Sequence, residues 1–141
     1  MPHRVRDACD ASFAAHENDC SGFAKAVATE LDVPLAGLAN DIVDTITGGN
    51  GWELLKDGVA AAEAAEAGNL VIGGLRGSEQ AHPVEHGHVI VVVGRPLAHG
   101  KYPSAYWGRL GGGGKTNTTA NFAWNTADRD RVFYARHDIP R

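Results

Sequence analysis

A β-branched run, HVIVVVG at residues 88–94, constrains the fold most, because such a run is typical of a strand buried on both faces. Further strands are predicted at NLVIGGL, YPSAYWGRL and DRVFYARHD, and a polar glycine-rich loop at GGGGKTNTT. Before residue 68 the apolar residues recur instead with helical spacing. Helices followed by strands predict an α+β fold, in which N-terminal helices pack on a C-terminal antiparallel sheet.

Four helices are predicted in the first half of the chain, at 4–15, 20–31, 37–46 and 53–67. In the first of them, Cys9 shares the apolar face with Val5 and Phe13 and is interpreted as a small buried hydrophobe. The length of 141 residues is that of one ordinary domain, so residues 1–141 are predicted to form a single catalytic domain.

Composition and charge argue against several classes of protein. A formal net charge of −4, without a basic run, gives no sign of nucleic-acid binding. No stretch of about 18 apolar residues exists, so no membrane span is expected. The N-terminal residues lack the pattern of a Sec signal peptide, so a soluble chain is expected. The 2 cysteines cannot form a disulfide framework, and a single Cys9–Cys20 bridge is the minor alternative to two free thiols.

The stretch HENDCSGF places Cys20 at the predicted start of a helix, after two capping residues, Asn18 and Asp19. Free backbone N–H groups at a helix start stabilise a thiolate, so the position predicts a thiol with a lowered pKa. The same N–H groups could hold an oxyanion on an acyl substrate. A buried packing role for the cysteine is the alternative.

A cysteine nucleophile needs a base, and of the 7 histidines only His88 begins a confidently predicted strand. A histidine on a rigid central strand that faces a helix start is the arrangement of papain-like Cys–His enzymes. A solvated or capped histidine at a strand edge is the alternative interpretation. Together, Cys20 and His88 favour a nucleophilic catalytic pair.

Other motifs carry weaker signals. HPVEHGH offers His82, Glu85, His86 and His88 as zinc ligands, but Pro83 and Gly87 favour a loop, so no metal site is predicted. GGGGKT lacks the glycine spacing of a phosphate-binding loop and is interpreted as a flexible cleft wall. TADRDRV is interpreted as a solvated surface segment whose aspartate and arginine side chains pair with each other. At least two of the 3 tryptophans are interpreted as packing residues.

The motifs NDCSGF and GHVIVVV, about sixty residues apart, resemble the NlpC-like superfamily of cell-wall cysteine peptidases. NDCSGFAKAVATELDVP, NLVIGGLRG, HGHVIVVV, KYP and WNTADRDRVFY are similar, in the same order, to the first family of type VI secretion amidase effectors. The resemblance extends from about Ala8 to Tyr134.

The resemblance implies a papain-like (NlpC-like) fold and a set of site residues. Cys20 would be the nucleophile, His88 the general base and acid, and the backbone carbonyl of Trp107 the group that orients the imidazole. Cysteines that relatives carry near this point are replaced here by SAYWG. Asp19 and Ser21 would line the substrate cleft, and for Asp19 helix capping is an equally weighted alternative.

The activity implied by the resemblance is hydrolysis of the amide between γ-D-glutamate and meso-diaminopimelate in peptidoglycan stem peptides, without a cofactor. The protein would act as a monomeric antibacterial toxin. Type VI secretion would inject it from the donor cytoplasm into the target-cell periplasm, and a cognate periplasmic immunity protein would inhibit it in the producer. The alternatives are a non-catalytic module that binds cell-wall peptide and a His-ligated zinc hydrolase.

Overall fold

The structure is a computed structural model that describes residues 4–140, so residues 1–3 and 141 of the predicted domain lie outside it. The described residues form four α-helices and six strands. In chain order these are α1 Arg4–His16, α2 Cys20–Glu30, α3 Ala39–Thr47, β1 Trp52–Leu55, α4 Gly58–Glu66, β2 Leu70–Leu75, β3 His88–Ala98, β4 Tyr102–Trp107, β5 Lys115–Thr119 and β6 Phe133–His137. Within this range no helix is long and apolar enough to cross a membrane.

The strands form one antiparallel sheet in the order β1-β6-β2-β3-β4-β5. Alternate residues of the central strand β3 point to opposite faces. Val89, Val91 and Val93 pack with the apolar sides of α1, α2 and α3, whereas Ile90 and Val92 pack with α4 and with the segment around Trp124. Both faces of β3 are therefore covered, which is why its sequence is almost continuously apolar. The predicted α+β class is confirmed.

The predicted helix over 53–67 is wrong in its first part, because residues Trp52–Leu55 form strand β1. That segment pairs with β6, and Trp52 lies opposite His137. The helix begins only at Gly58. Asp57 is its N-cap, and the Asp57 carboxylate accepts a 2.9 Å hydrogen bond from the Ala60 N–H. Pairing at the sheet edge outweighs the helical preference of these few residues, because propensity is a weak term beside tertiary contacts.

The loop predicted at GGGGKTNTT is also wrong in part, because residues Lys115–Thr119 form the edge strand β5. Its first three residues are exposed, and the strand is held by backbone pairing with β4, in which Thr118 lies opposite Ala105. An exposed edge strand needs no apolar face, so its sequence carries no alternation that would predict it.

The end of β4 lies directly against the turn that precedes α2. A Cβ atom on Gly108 would lie 2.2 Å from the His16 carbonyl oxygen and 2.6 Å from that of Asp19, and the Arg109 N–H donates to the Glu17 carbonyl at 2.9 Å. Only glycine lets the two backbone segments approach this closely. Gly108 therefore fixes the position of the helix start that carries Cys20.

Replacing Gly108 by alanine is expected to lower the free energy of unfolding by about 3 kcal/mol, because two backbone oxygens must move to admit a methyl group. Urea unfolding measures this loss. Gly100→Ala is the matched control, since no atom lies within 4 Å of the added Cβ and only the backbone φ of +69° opposes the side chain. Equal losses for the two variants would show that the contact at Gly108 does not constrain the turn.

Candidate active site

Cys20 is the first residue of α2, as predicted, and Asp19 is its N-cap. The Asp19 carboxylate accepts hydrogen bonds from the Gly22 N–H at 3.0 Å and from the Ser21 hydroxyl at 3.1 Å. The Asp19 carbonyl accepts the Phe23 N–H at 2.9 Å. The Asp19 carboxylate thus caps the Gly22 N–H, and the Phe23 bond is the first backbone bond of the helix; the N–H groups of Cys20 and Ser21 are not taken by the cap and act on the Cys20 thiol.

Asp19 and Ser21 contact each other and the helix start, and neither lines the cleft that contains Cys20. Ser21 is buried. The structure therefore places both residues in capping contacts. The prediction that they contact a substrate stays a prediction.

His88 is the first residue of β3 and lies opposite Leu75 of β2. The preceding Gly87 lies so close to β2 that a Cβ there would be 2.7 Å from the Leu75 carbonyl oxygen. The glycine is therefore required for the strand to start where it does. The His88 ring packs edge-on against Trp124, with ring centroids 5.3 Å apart, and against Trp107 at 6.4 Å.

The two ring nitrogens of His88 have different surroundings. Nε2 is enclosed and has no hydrogen-bond partner among residues 4–140, whereas the residue as a whole keeps some exposure. Because Nε2 is the enclosed nitrogen, Nδ1 is the candidate for proton transfer. Trp107 is fully buried at the end of β4, and the expected hydrogen bond from the imidazole to its carbonyl oxygen is not formed in the structure. The orienting role of Trp107 stays a prediction.

Cys20 and His88 line the same cleft, which has a volume of about 360 Å³. The helix start and the strand start therefore meet at one site. The backbone N–H of Val89, the residue after His88, lies near enough to the Cys20 thiol to favour its ionised form. The other polar residues of the cleft come from three loops and comprise Gln80, His86, Arg109, Asn125 and Asp128.

The expectation of a lowered thiol pKa is wrong. Burial raises the pKa of the Cys20 thiol above its ordinary value, and the negative charge of Asp19 adds to the rise. The N–H groups of Val89, Ser21 and Cys20 itself act in the opposite direction without reversing it. The stabilisation of the thiolate by these N–H groups is therefore smaller here than the cost of desolvating it.

Burial, assisted by the positive charge of Arg109, lowers the pKa of His88 to about 3. The imidazole is consequently neutral near pH 7 and can accept a proton. The thiol of raised pKa that lines the same cleft is protonated near pH 7, so both groups are neutral there. Cys9, in contrast, is fully buried in the helical core, as predicted, and lies outside the cleft.

Arg109 and Asp128 are cleft residues that the sequence analysis missed. Asp128 belongs to the TADRDRV segment, for which a solvated surface was expected, yet it is only 1% exposed and accepts a 2.7 Å hydrogen bond from the Ala81 N–H. Nothing in the charge alternation marks one aspartate as buried. The prediction for the tryptophans is confirmed, because Trp52, Trp107 and Trp124 are all buried.

The zinc alternative gains no support from the described residues. His82 and His86 are exposed in the loop before β3, and His86 lies 3.3 Å from the Glu85 carboxylate. No group of three or more histidine, cysteine, aspartate or glutamate side chains within residues 4–140 is arranged to hold a metal ion.

A helix-start thiol and a strand-start imidazole that line one cleft are compatible with a hydrolase that acts through a nucleophilic cysteine. No protein-family model matches the chain. A comparison with curated proteins shows that the chain belongs to a family of peptidoglycan amidases. The relative is Peptidoglycan amidase Tse1 of Pseudomonas aeruginosa, which is 38% identical over 136 residues, covering 92% of this chain and 83% of the relative. The family indicated by the sequence motifs is thereby confirmed.

Proposed function

We propose that this chain is a cysteine amidase of the papain-like (NlpC-like) fold that hydrolyses the amide between γ-D-glutamate and meso-diaminopimelate in peptidoglycan stem peptides. The observation that carries the proposal is the meeting of Cys20 and His88 in one cleft, in a chain that belongs to a peptidoglycan amidase family. Residues 1–141 would act as one catalytic domain.

The first half of the reaction is acyl transfer to sulfur. His88 Nδ1 takes the thiol proton of Cys20, and Sγ attacks the side-chain carbonyl carbon of D-glutamate. The oxyanion lies near the N–H groups of Cys20 and Ser21 at the helix start, neither of which the Asp19 carboxylate occupies. The imidazolium then protonates the diaminopimelate nitrogen, the C–N bond breaks, and a thioester with Cys20 remains.

The second half restores the enzyme. His88 takes a proton from a water molecule that attacks the thioester carbonyl, and the proton returns to Sγ as the C–S bond breaks. The neutral resting state leaves an imidazole nitrogen unprotonated for the first proton transfer. Its enclosure against Trp107 and Trp124 holds the ring in place throughout.

Delivery and inhibition follow from the proposed role as an amidase effector. The protein would pass by type VI secretion from the donor cytoplasm to the target-cell periplasm and act there as a monomer on stem peptides. A periplasmic immunity protein that covers the cleft would protect the producing cell.

Mass spectrometry of muropeptides after digestion tests the proposed bond. A disaccharide tetrapeptide is expected to yield a disaccharide that keeps L-alanine and D-glutamate, together with free diaminopimelyl-alanine. The masses of the two products should add up to the mass of the substrate plus one water. A product that has lost D-glutamate from the glycan half, or an unchanged substrate, would contradict the proposal.

The acidic limb of the pH profile is expected well below the ordinary histidine value of 6.5, because burial and Arg109 lower the pKa of His88 to about 3. Activity should therefore persist as the pH falls from 7 to about 5, since the neutral base is lost only near its lowered pKa. The dependence of kcat/KM on pH measures this. A limb centred near 6.5 would show that His88 titrates as a solvated imidazole.

A further inference from the structure

Arg109 lies on the cleft wall just beyond β4, and the structure holds it at two points. Its N–H donates to the Glu17 carbonyl at 2.9 Å, and its guanidinium Nη2 donates to the Ala123 carbonyl at 3.2 Å. Both acceptors are backbone oxygens, so neither neutralises the charge. Among residues 4–140, no carboxylate lies within the 4.0 Å ion-pair distance of this guanidinium.

The other ionisable groups of the cleft do not offer a comparable charge. His88 is neutral near pH 7, and His86 lies beside the Glu85 carboxylate. Asp128 is buried, and its Oδ1 accepts the Ala81 N–H. Arg109 is thus the one lysine or arginine that lines the cleft in the described part of the chain, and its side chain is exposed to an incoming ligand.

The proposed substrate carries an anion in a matching position. D-glutamate that is linked through its side-chain carbonyl keeps a free α-carboxylate, separated from the reacting carbonyl by only three carbon atoms. A guanidinium can donate two parallel hydrogen bonds to a carboxylate, and such charge-assisted bonds are stronger than neutral ones. A carboxylate held by Arg109 would place the neighbouring carbonyl close to the residues that share its cleft, Cys20 and His88.

We propose that Arg109 is a specificity-determining residue that binds the free α-carboxylate of the γ-linked D-glutamate and selects such stems over stems in which this carboxylate is amidated to isoglutamine. The inference rests on the proposed function, because it assigns a partner to one group of that substrate. It predicts discrimination between two stems that differ by a single charged group.

The test compares two synthetic muramyl tetrapeptides that are identical except for D-glutamate or D-isoglutamine at the second position. The wild-type protein is expected to cleave the acid form with kcat/KM about 10- to 100-fold higher, the range typical of a charge-assisted hydrogen bond. Arg109→Gln should reduce this ratio to about 1 by slowing cleavage of the acid form, and Arg109→Lys should retain part of it.

The ratio of kcat/KM for the two peptides separates carboxylate binding by Arg109 from the effect of its charge on the pKa of His88. Loss of the positive charge changes the pKa of His88 equally for both substrates. This effect therefore cancels in the ratio of the two kcat/KM values. Arg131→Gln is the matched control, because Arg131 is exposed, donates to the Glu79 carbonyl at 3.1 Å and lies outside the cleft. The control should keep the wild-type ratio.

The outcomes distinguish the two proposals. A wild-type protein that cleaves neither peptide contradicts the proposed function. A wild-type protein that cleaves both equally well, or an Arg109→Gln variant that keeps the preference, overturns the role of Arg109 and leaves the proposed function standing.

Discussion

Replacement of Cys20 by alanine is expected to lower kcat/KM for stem-peptide cleavage by at least about 1,000-fold, because no other group of the cleft can form the thioester. The fold should be preserved, since the residue is only partly buried and alanine is well tolerated at a helix start. Quantitative chromatography of muropeptides measures the rate, and circular dichroism checks the helix content.

Cys9→Ala is the matched control for this variant. Cys9 is the other cysteine of the chain, is fully buried among the helices and does not line the cleft. The control should cleave at close to the wild-type rate. Full activity in Cys20→Ala would contradict the nucleophilic role and would favour a different catalytic group.

Replacement of His88 by glutamine is expected to lower kcat/KM by about 100- to 10,000-fold, the usual contribution of a general base and acid. Glutamine has a similar length and fits the space beside Trp107 and Trp124, but it cannot accept the thiol proton. Because burial raises the pKa of the Cys20 thiol, the sulfur depends on this base. Alkylation of Cys20 by iodoacetamide near pH 7 should therefore slow in the same variant.

His82→Gln serves as the control, because His82 is exposed in the loop before β3 and does not line the cleft. The double variant Cys20→Ala/His88→Gln tests whether the pair acts as a unit. Its residual rate should be no lower than that of the slower single variant, since groups that serve one step are not additive. Losses that multiply would indicate that the two residues act in separate steps.

The position of the proposed catalytic pair could be predicted because each residue belongs to a local pattern. Capping residues before Cys20 mark a helix start, and the apolar run after His88 marks a central strand. The local sequence determines where α2 and β3 begin. The packing of helices against the antiparallel sheet then brings these two starts together. Gly87 and Gly108 add to this, because each permits a backbone approach that a side chain would block.

The rest of the cleft could not be predicted because loops supply it. Arg109 follows a glycine after β4, and its position depends on a hydrogen bond to the α1–α2 turn, far away in the sequence. Asp128 is buried by its contact with Ala81. The prediction of a lowered pKa for the Cys20 thiol was wrong for a related reason. The desolvation that raises this pKa comes from tertiary packing, which the local sequence does not show.

Stoichiometric modification of Cys20 tests whether its thiol is the nucleophile. The folded protein is treated with iodoacetamide for increasing times, the modified fraction of each cysteine is read from peptide mass spectra, and muropeptide cleavage is measured on the same samples. Activity is expected to fall in proportion to the fraction of modified Cys20, while buried Cys9 stays unmodified. Continued cleavage by protein in which Cys20 is fully modified would contradict this expectation.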